Sequence, residues 1–209
     1  MPRLLALYRR FVASNRGIIA VEFGIVFPML MVLLLASIDA GRAIAIYMKV
    51  RAATYALDAM TNQYSTVQDS DLQGISNAVA AVLAPYSSGP SGLRISQVEI
   101  TTGGPIVAWS YGANMTPYTY QSSNNLVLPG TLASTSAPNN ACPTSYYNTT
   151  GNGPNPGCYL LLAQVQYTYT PMFTQFITGP ITLSDSLFVM PRNSLCVKYN
   201  NASCYSSST

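Results

Sequence analysis

The spacing of apolar residues divides the chain into regions with different surroundings. From Ile18 to Ile38, a stretch of 21 positions, apolar side chains follow one another almost without interruption, and Glu22 is the only charge. At about 1.5 Å of rise per residue, a helix of that length covers about 30 Å, the thickness of a bilayer's hydrocarbon core. A buried core helix of this length needs a large apolar shell, and the polar remainder of the chain offers none. The pattern therefore predicts a transmembrane helix. A cleaved secretory signal would carry a shorter apolar core, about 7 to 15 residues, with a small-residue cleavage site just after it.

Beyond Asp39 the apolar residues thin out but keep a helical rhythm. Ile44, Tyr47, Val50 or Arg51, Tyr55 and Leu57 or Met60 recur at helix spacing, with no proline and only Gly41 as a glycine from Asp39 to Met60. The helix is expected to continue past the membrane to about residue 60. Pro28 lacks an N–H and is expected to kink or loosen it around Gly24. Small residues at Ala36, Ala40, Ala43, Ala52 and Ala53 would permit close approach of another helix. A second helix is predicted from Asp71 to Leu83, capped by Ser70 or Asp71 and stopped before Pro85.

The period then changes from helical to alternating. Leu93 to Thr101 and Ile106 to Tyr111 read as strands around the turn Gly103-Gly104-Pro105. Residues 112–157 are crowded with Asn, Ser, Thr, Gly and Pro and read as loop. Tyr159 to Thr170 alternates most clearly. Leu161, Ala163, Val165, Tyr167 and Tyr169 would fall on a buried face, and Gln164, Gln166, Thr168 and Thr170 on a wet one. Ile181 to Met190 reads as a further strand, and the tail from Asn193 is polar. The fold class expected is α+β: a long N-terminal transmembrane helix packed on a mainly antiparallel sheet. Three regions follow, a basic leader at 1–17, the helix at 18–60 and an outer domain at 61–209.

Charge sharpens this division. The net charge of +3 comes from the leader, where Arg3, Arg9, Arg10 and Arg16 face no acid. The rest holds six cationic side chains against seven acids, so no basic surface remains for nucleic acid. An arginine-rich flank before the span favours a cytoplasmic N-terminus. Cys142, Cys158, Cys196 and Cys204 all lie in the last third. An even number of cysteines in sequence rich in Ser, Asn and Tyr fits an oxidising compartment and disulfides, hence an outer domain beyond the cytoplasmic membrane. The short loops of Cys142–Cys158 and Cys196–Cys204 favour these local pairings over the other two connectivities.

The same residues argue against catalysis. There is no histidine, so no Ser-His or Cys-His pair exists. No phosphate-binding loop and no C-x-x-C occurs, and Asp69-Ser70-Asp71 lacks the further acids of a calcium loop. No enzyme, cofactor or metal site is expected. Fifteen tyrosines would suit an adhesive surface as well as ordinary strands.

One short segment carries more specific information. Gly17 closes the basic leader, Ile18 opens the apolar run, and Glu22-Phe23 places a carboxylate five positions after the glycine. An acid inside hydrocarbon costs about 2.5 to 3.5 kcal/mol on insertion scales, so it calls for a partner. A free amine at Ile18, created by a cut after Gly17, would supply one. This segment resembles the processing site of type IV prepilins. With Phe27-Pro28 and Asp39-Ala40-Gly41-Arg42, the stretch from Gly17 to Ala59 resembles the TadE-like family of Flp (Tad) pilus assembly. That resemblance implies cleavage by a prepilin peptidase, a seat in the bacterial cytoplasmic membrane, and partnership with other pilin or pilus-assembly subunits. The role implied is a minor pilin or assembly subunit, possible in the filament itself. An uncleaved membrane-anchored assembly factor and an anchored adhesin are the alternatives.

Overall fold

The computed structural model describes residues 16–86, 91–101, 104–119, 158–173 and 179–202. The leader before Arg16 and most of the expected loop, residues 120–157, lie outside the described residues. Two compact units divide the chain. One comprises Met1–Ile44 with Thr170–Pro180, and the other Ala45–Tyr169 with Ile181–Thr209.

Helix α1 runs from Arg16 to Thr61, 46 residues, and continues through Pro28. Its first part has no inner side. Every residue from Val21 to Leu34 is exposed, so the apolar surface goes all the way round. Its last part has one. Ile46, Val50, Ala53 and Leu57 are buried at steps of four, three and four, which is one stripe of a helix. This corrects the expected stripe: Ile44, Tyr47 and Tyr55 are exposed. Both rows have helical spacing, and only tertiary packing decides between them. Burying side chains such as Leu57 or Val50 contributes about 1.5 to 3 kcal/mol each. Two polar members of the buried side satisfy themselves on their own helix. The Thr54 hydroxyl donates to the Val50 carbonyl at 3.0 Å and that of Thr61 to Leu57 at 2.8 Å. Just past the helix end, the Asn62 side-chain oxygen accepts the Arg192 amide at 2.7 Å, and Asn193 donates to the Gln63 carbonyl at 2.8 Å.

Strand β1 (Thr66–Val67) precedes helix α2 (Asp69–Val82), which starts two residues earlier than expected. Its N-cap is Gln68, and Asp71 acts from inside the first turn by accepting the Gln68 amide at 3.0 Å. Asp69 and Asp71 also suit the positive end of the helix dipole. Leu72, Ile75, Val79 and Leu83 form its buried stripe.

Strands β2 (Ser91–Thr101), β3 (Gly104–Ala113), β4 (Cys158–Tyr169) and β5 (Ile181–Val189) form an open sheet in the order β3-β2-β4-β5. All its pairings are antiparallel. Gly104 and Pro105, expected in the turn, already belong to β3, and the register slips by one residue between Gln97 and Val98.

Register fixes the two faces, because paired residues point the same way. Leu93, Ile95 and Gln97 pair with Val165, Ala163 and Leu161, and all six are buried. On the opposite face Ser96, Val98, Leu160 and Leu162 are buried as well. The simple expectation for β4, one dry face and one wet face, therefore fails at its start. It holds better from Ala163 onward, where Gln164, Gln166 and Thr168 are half-buried between buried neighbours. The reason is position: β4 is an interior strand, and chain folds over both sides of the sheet centre. On the polar side Arg94 donates to Gln164 at 2.9 Å and to the Thr116 carbonyl at 2.9 Å, and its guanidinium lies 3.5 Å from the Tyr118 ring centre. Burial lowers the Arg94 pKa, and Tyr118 opposes that shift. The close crossing needs glycine. A Cβ at Gly112 would stand 2.0 Å from the Met115 carbonyl oxygen.

The tail is not merely polar. Cys196 and Val197 are buried, and strand β6 (Lys198–Tyr199) pairs in parallel with β1. The Val197 amide donates to the buried Gln97 side chain at 2.6 Å, and Trp109 donates to the Val197 carbonyl at 2.8 Å. The rings of Trp109 and Tyr199 stack 5.3 Å apart.

Candidate functional site

The candidate processing segment lies on the first turns of α1. Gly17 is exposed, and a Cβ there would meet nothing within 4 Å, so packing does not require glycine at that position. Glu22 is exposed among exposed apolar residues. Phe23 stacks on Phe27, one turn later, with ring centres 5.4 Å apart. The side chain of Ile18 lies outside the described residues, as does any pairing of its amine with Glu22. No second element gathers around Gly17, Glu22 and Phe23 among the described residues. What they offer is a helix end presented to its surroundings.

The second part of the motif behaves differently. Asp39, only 4% exposed, sits just past the apolar stretch. One of its carboxylate oxygens accepts the Met172 amide at 3.2 Å and the other accepts the Phe173 amide at 2.9 Å. Arg42 reaches the Met172 sulfur at 3.5 Å. A carboxylate that takes two successive backbone N–H groups makes charge-assisted bonds, stronger than neutral ones. The Asp-x-Gly-Arg spacing puts both side chains on one side of the helix, toward the connection that follows β4. Sequence reading singled out the motif but not its partner, which lies more than a hundred residues away.

Residues 17–56 match a family model, that of the TadE-like protein. This segment is TadE-like. The match covers about a fifth of the chain, and it takes in both Gly17-to-Phe23 and Asp39-to-Arg42. It also lies wholly on α1, so the TadE-like segment is one helix that passes from the all-round apolar stretch into the one-sided stripe. No curated protein and no solved structure matches the chain.

The cysteines are only partly in view. Cys196 is buried and disulfide-bonded. Cys158 opens β4, but its side chain lies outside the described residues, together with Cys142 and Cys204. The expected pairings of Cys142 with Cys158 and of Cys196 with Cys204 therefore fall beyond what the structure describes. Asp69, on the first turn of α2, has a further role: it accepts the Tyr199 hydroxyl and, at 3.5 Å, the Asn200 side-chain amide. Burial and the Asp69 contact push the Tyr199 phenol up to about 12.

Proposed function

We propose that the protein is a membrane-anchored minor pilin or assembly subunit of a Tad-type (Flp) pilus system, with a structural rather than catalytic role. The observation that supports this best is the coincidence of the TadE-like match with an exposed apolar helix long enough to span a bilayer. In this reading the N-terminus is cytoplasmic, residues 18–38 cross the cytoplasmic membrane and the sheet domain is extracytoplasmic. A prepilin peptidase cuts between Gly17 and Ile18. The new Ile18 amine, with a pKa of roughly 7.7 to 8, then neutralises Glu22 in its own chain or a neighbour. The helix packs against other pilin or pilus-assembly subunits.

The test is the N-terminus of the protein extracted from membranes that contain the peptidase. Intact mass should begin at Ile18, and Gly17→Leu should keep the leader. The fold leaves room for that side chain, so a lost cut would not reflect misfolding. Glu22→Ala should still insert and be cut, yet fail to co-purify with its pilus partners. A native N-terminus at Met1 would favour an uncleaved assembly factor. Normal assembly of the Glu22 variant would reduce that residue to an interfacial polar group.

We further propose local disulfides, Cys142–Cys158 and Cys196–Cys204. The buried, bonded state of Cys196 supports the oxidised outer compartment on which this rests. Closing a loop of about 15 residues stabilises by about 3 kcal/mol in the chain-entropy view. Non-reducing peptide mapping should recover both pairs, and a Cys142–Cys196 peptide would overturn them.

A further inference from the structure

The connection that Asp39 holds is unusual for an exposed turn. Met172 is 60% exposed and Phe173 41%, two large apolar side chains side by side. Exposed polar side chains are available throughout this chain, so apolar tips here call for an explanation. Their location supplies one. The carboxylate that holds their two amides belongs to Asp39, the first residue after the apolar stretch that ends at Ile38. In the membrane reading, which this inference rests on, Asp39 lies at the rim of the hydrocarbon layer. Side chains tied to it are at headgroup depth, and Leu34 and Ile38, exposed and in the same unit, lie on the helix just before Asp39.

We propose that Met172 and Phe173 form an interfacial foot that inserts into the outer face of the same bilayer the helix spans, with Asp39 as the residue that positions it. The chemistry fits a lipid surface rather than a soluble ligand. The two tips are apolar, and the carboxylate that holds their amides directly follows the apolar stretch already given to lipid. Apolar side chains favour insertion some 5 to 10 Å into the boundary between headgroups and acyl chains. The buried carboxylate makes the foot a fixed element: it satisfies the two amides that a turn dipped into lipid would leave without water. Arg42, donating to the Met172 sulfur, has its cation at the same level, where lipid phosphates lie.

The test uses tryptophan emission in the full chain, reconstituted in vesicles of phosphatidylcholine and phosphatidylglycerol. The buried native Trp109 sets the baseline, and Phe173→Trp or Met172→Trp adds one probe. Lipids spin-labelled near the headgroup should cause a larger loss of the added emission than lipids labelled deep in the chain. Leu30→Trp, in the middle of the span, should show the reverse order. Asp39→Ala combined with Phe173→Trp should reduce the shallow quenching, because the foot loses its hold. If Leu30→Trp is quenched deeply and neither foot probe is quenched, the foot is wrong while the span stands. A blue-shifted but unquenched foot probe would mean that protein covers it instead, and would overturn the lipid assignment. An unquenched Leu30→Trp would overturn the span and the foot together. Unchanged shallow quenching in the Asp39→Ala variant would remove Asp39 from the proposal.

Discussion

The two parts of helix α1 share a backbone conformation but not a reason for being helical. From Val21 to Leu34 the helix is apolar on every side and exposed on every side. From Ile46 to Thr61 it alternates, with one stripe buried and the other side open. The first part needs an apolar medium that the described residues do not provide. The second brings its own, in the unit that also holds the sheet. A helix thus records the solvent it meets by how its apolar residues are distributed around it, more than by how many it has.

The largest effect expected from this difference is on stability. Leu57→Ala should lower the unfolding free energy by about 2 to 5 kcal/mol, because a buried leucine leaves a cavity. Leu30→Ala should leave it within about 0.5 kcal/mol, as surface changes do. Thermal or denaturant unfolding of the full chain in mild detergent measures both, and equal losses would erase the distinction. A charge reverses the ranking on a different axis. Leu33→Lys should cost about 2.5 to 3.5 kcal/mol of membrane insertion, read as release from membranes on alkaline extraction. It should barely change the melting of the detergent-extracted domain.

The smallest effect concerns Asp58, a carboxyl on the buried side of α1. Burial raises its pKa to about 6, with Arg192 pulling the other way. The folded state therefore holds the proton more tightly than the unfolded state does, where the pKa is about 3.9. That contribution is fully present below about pH 4 and is lost as pH rises through about 6. Asp58→Asn should remove this slope and gain about 1 kcal/mol at pH 7, after allowing for partial solvent screening. A pH-independent difference between the two proteins would mean that Asp58 does not titrate in this window.

Much of this architecture was legible in the order of residues. The apolar run, the helix after it, the second helix and all four long strands were located within a few positions, since each has a strong period of its own. What escaped had no local signature. Val50 and Leu57 were among the expected positions, but whether Ile44, Tyr47 and Tyr55 or Ile46 and Ala53 complete their stripe depends on what packs against the helix. β1 and β6 have two residues each and exist only because they pair. Gln97 looks like any polar strand residue, yet it is buried to receive the Val197 amide. At the candidate site, Gly17, Glu22 and Phe23 were visible as a spacing. The grip of Asp39 on Met172 and Phe173 was not, since nothing in either segment names the other.

The pairing of β1 with β6 has a consequence for the timing of folding. Thr66 meets Lys198, and Asn62 meets Arg192, across more than a hundred residues of intervening chain. Contacts so distant in sequence form late, because the entropy of closing the loop is lost before the contact repays it. Helix α1, whose backbone hydrogen bonds are all local, forms early. A chain emerging N-terminus first would thus hold a finished helix, with its stripe of Ile46, Val50 and Leu57 still bare, until the rest of its unit, Ile181–Thr209 included, has been made. During that interval the stripe is the surface most exposed to mispairing with a neighbouring chain.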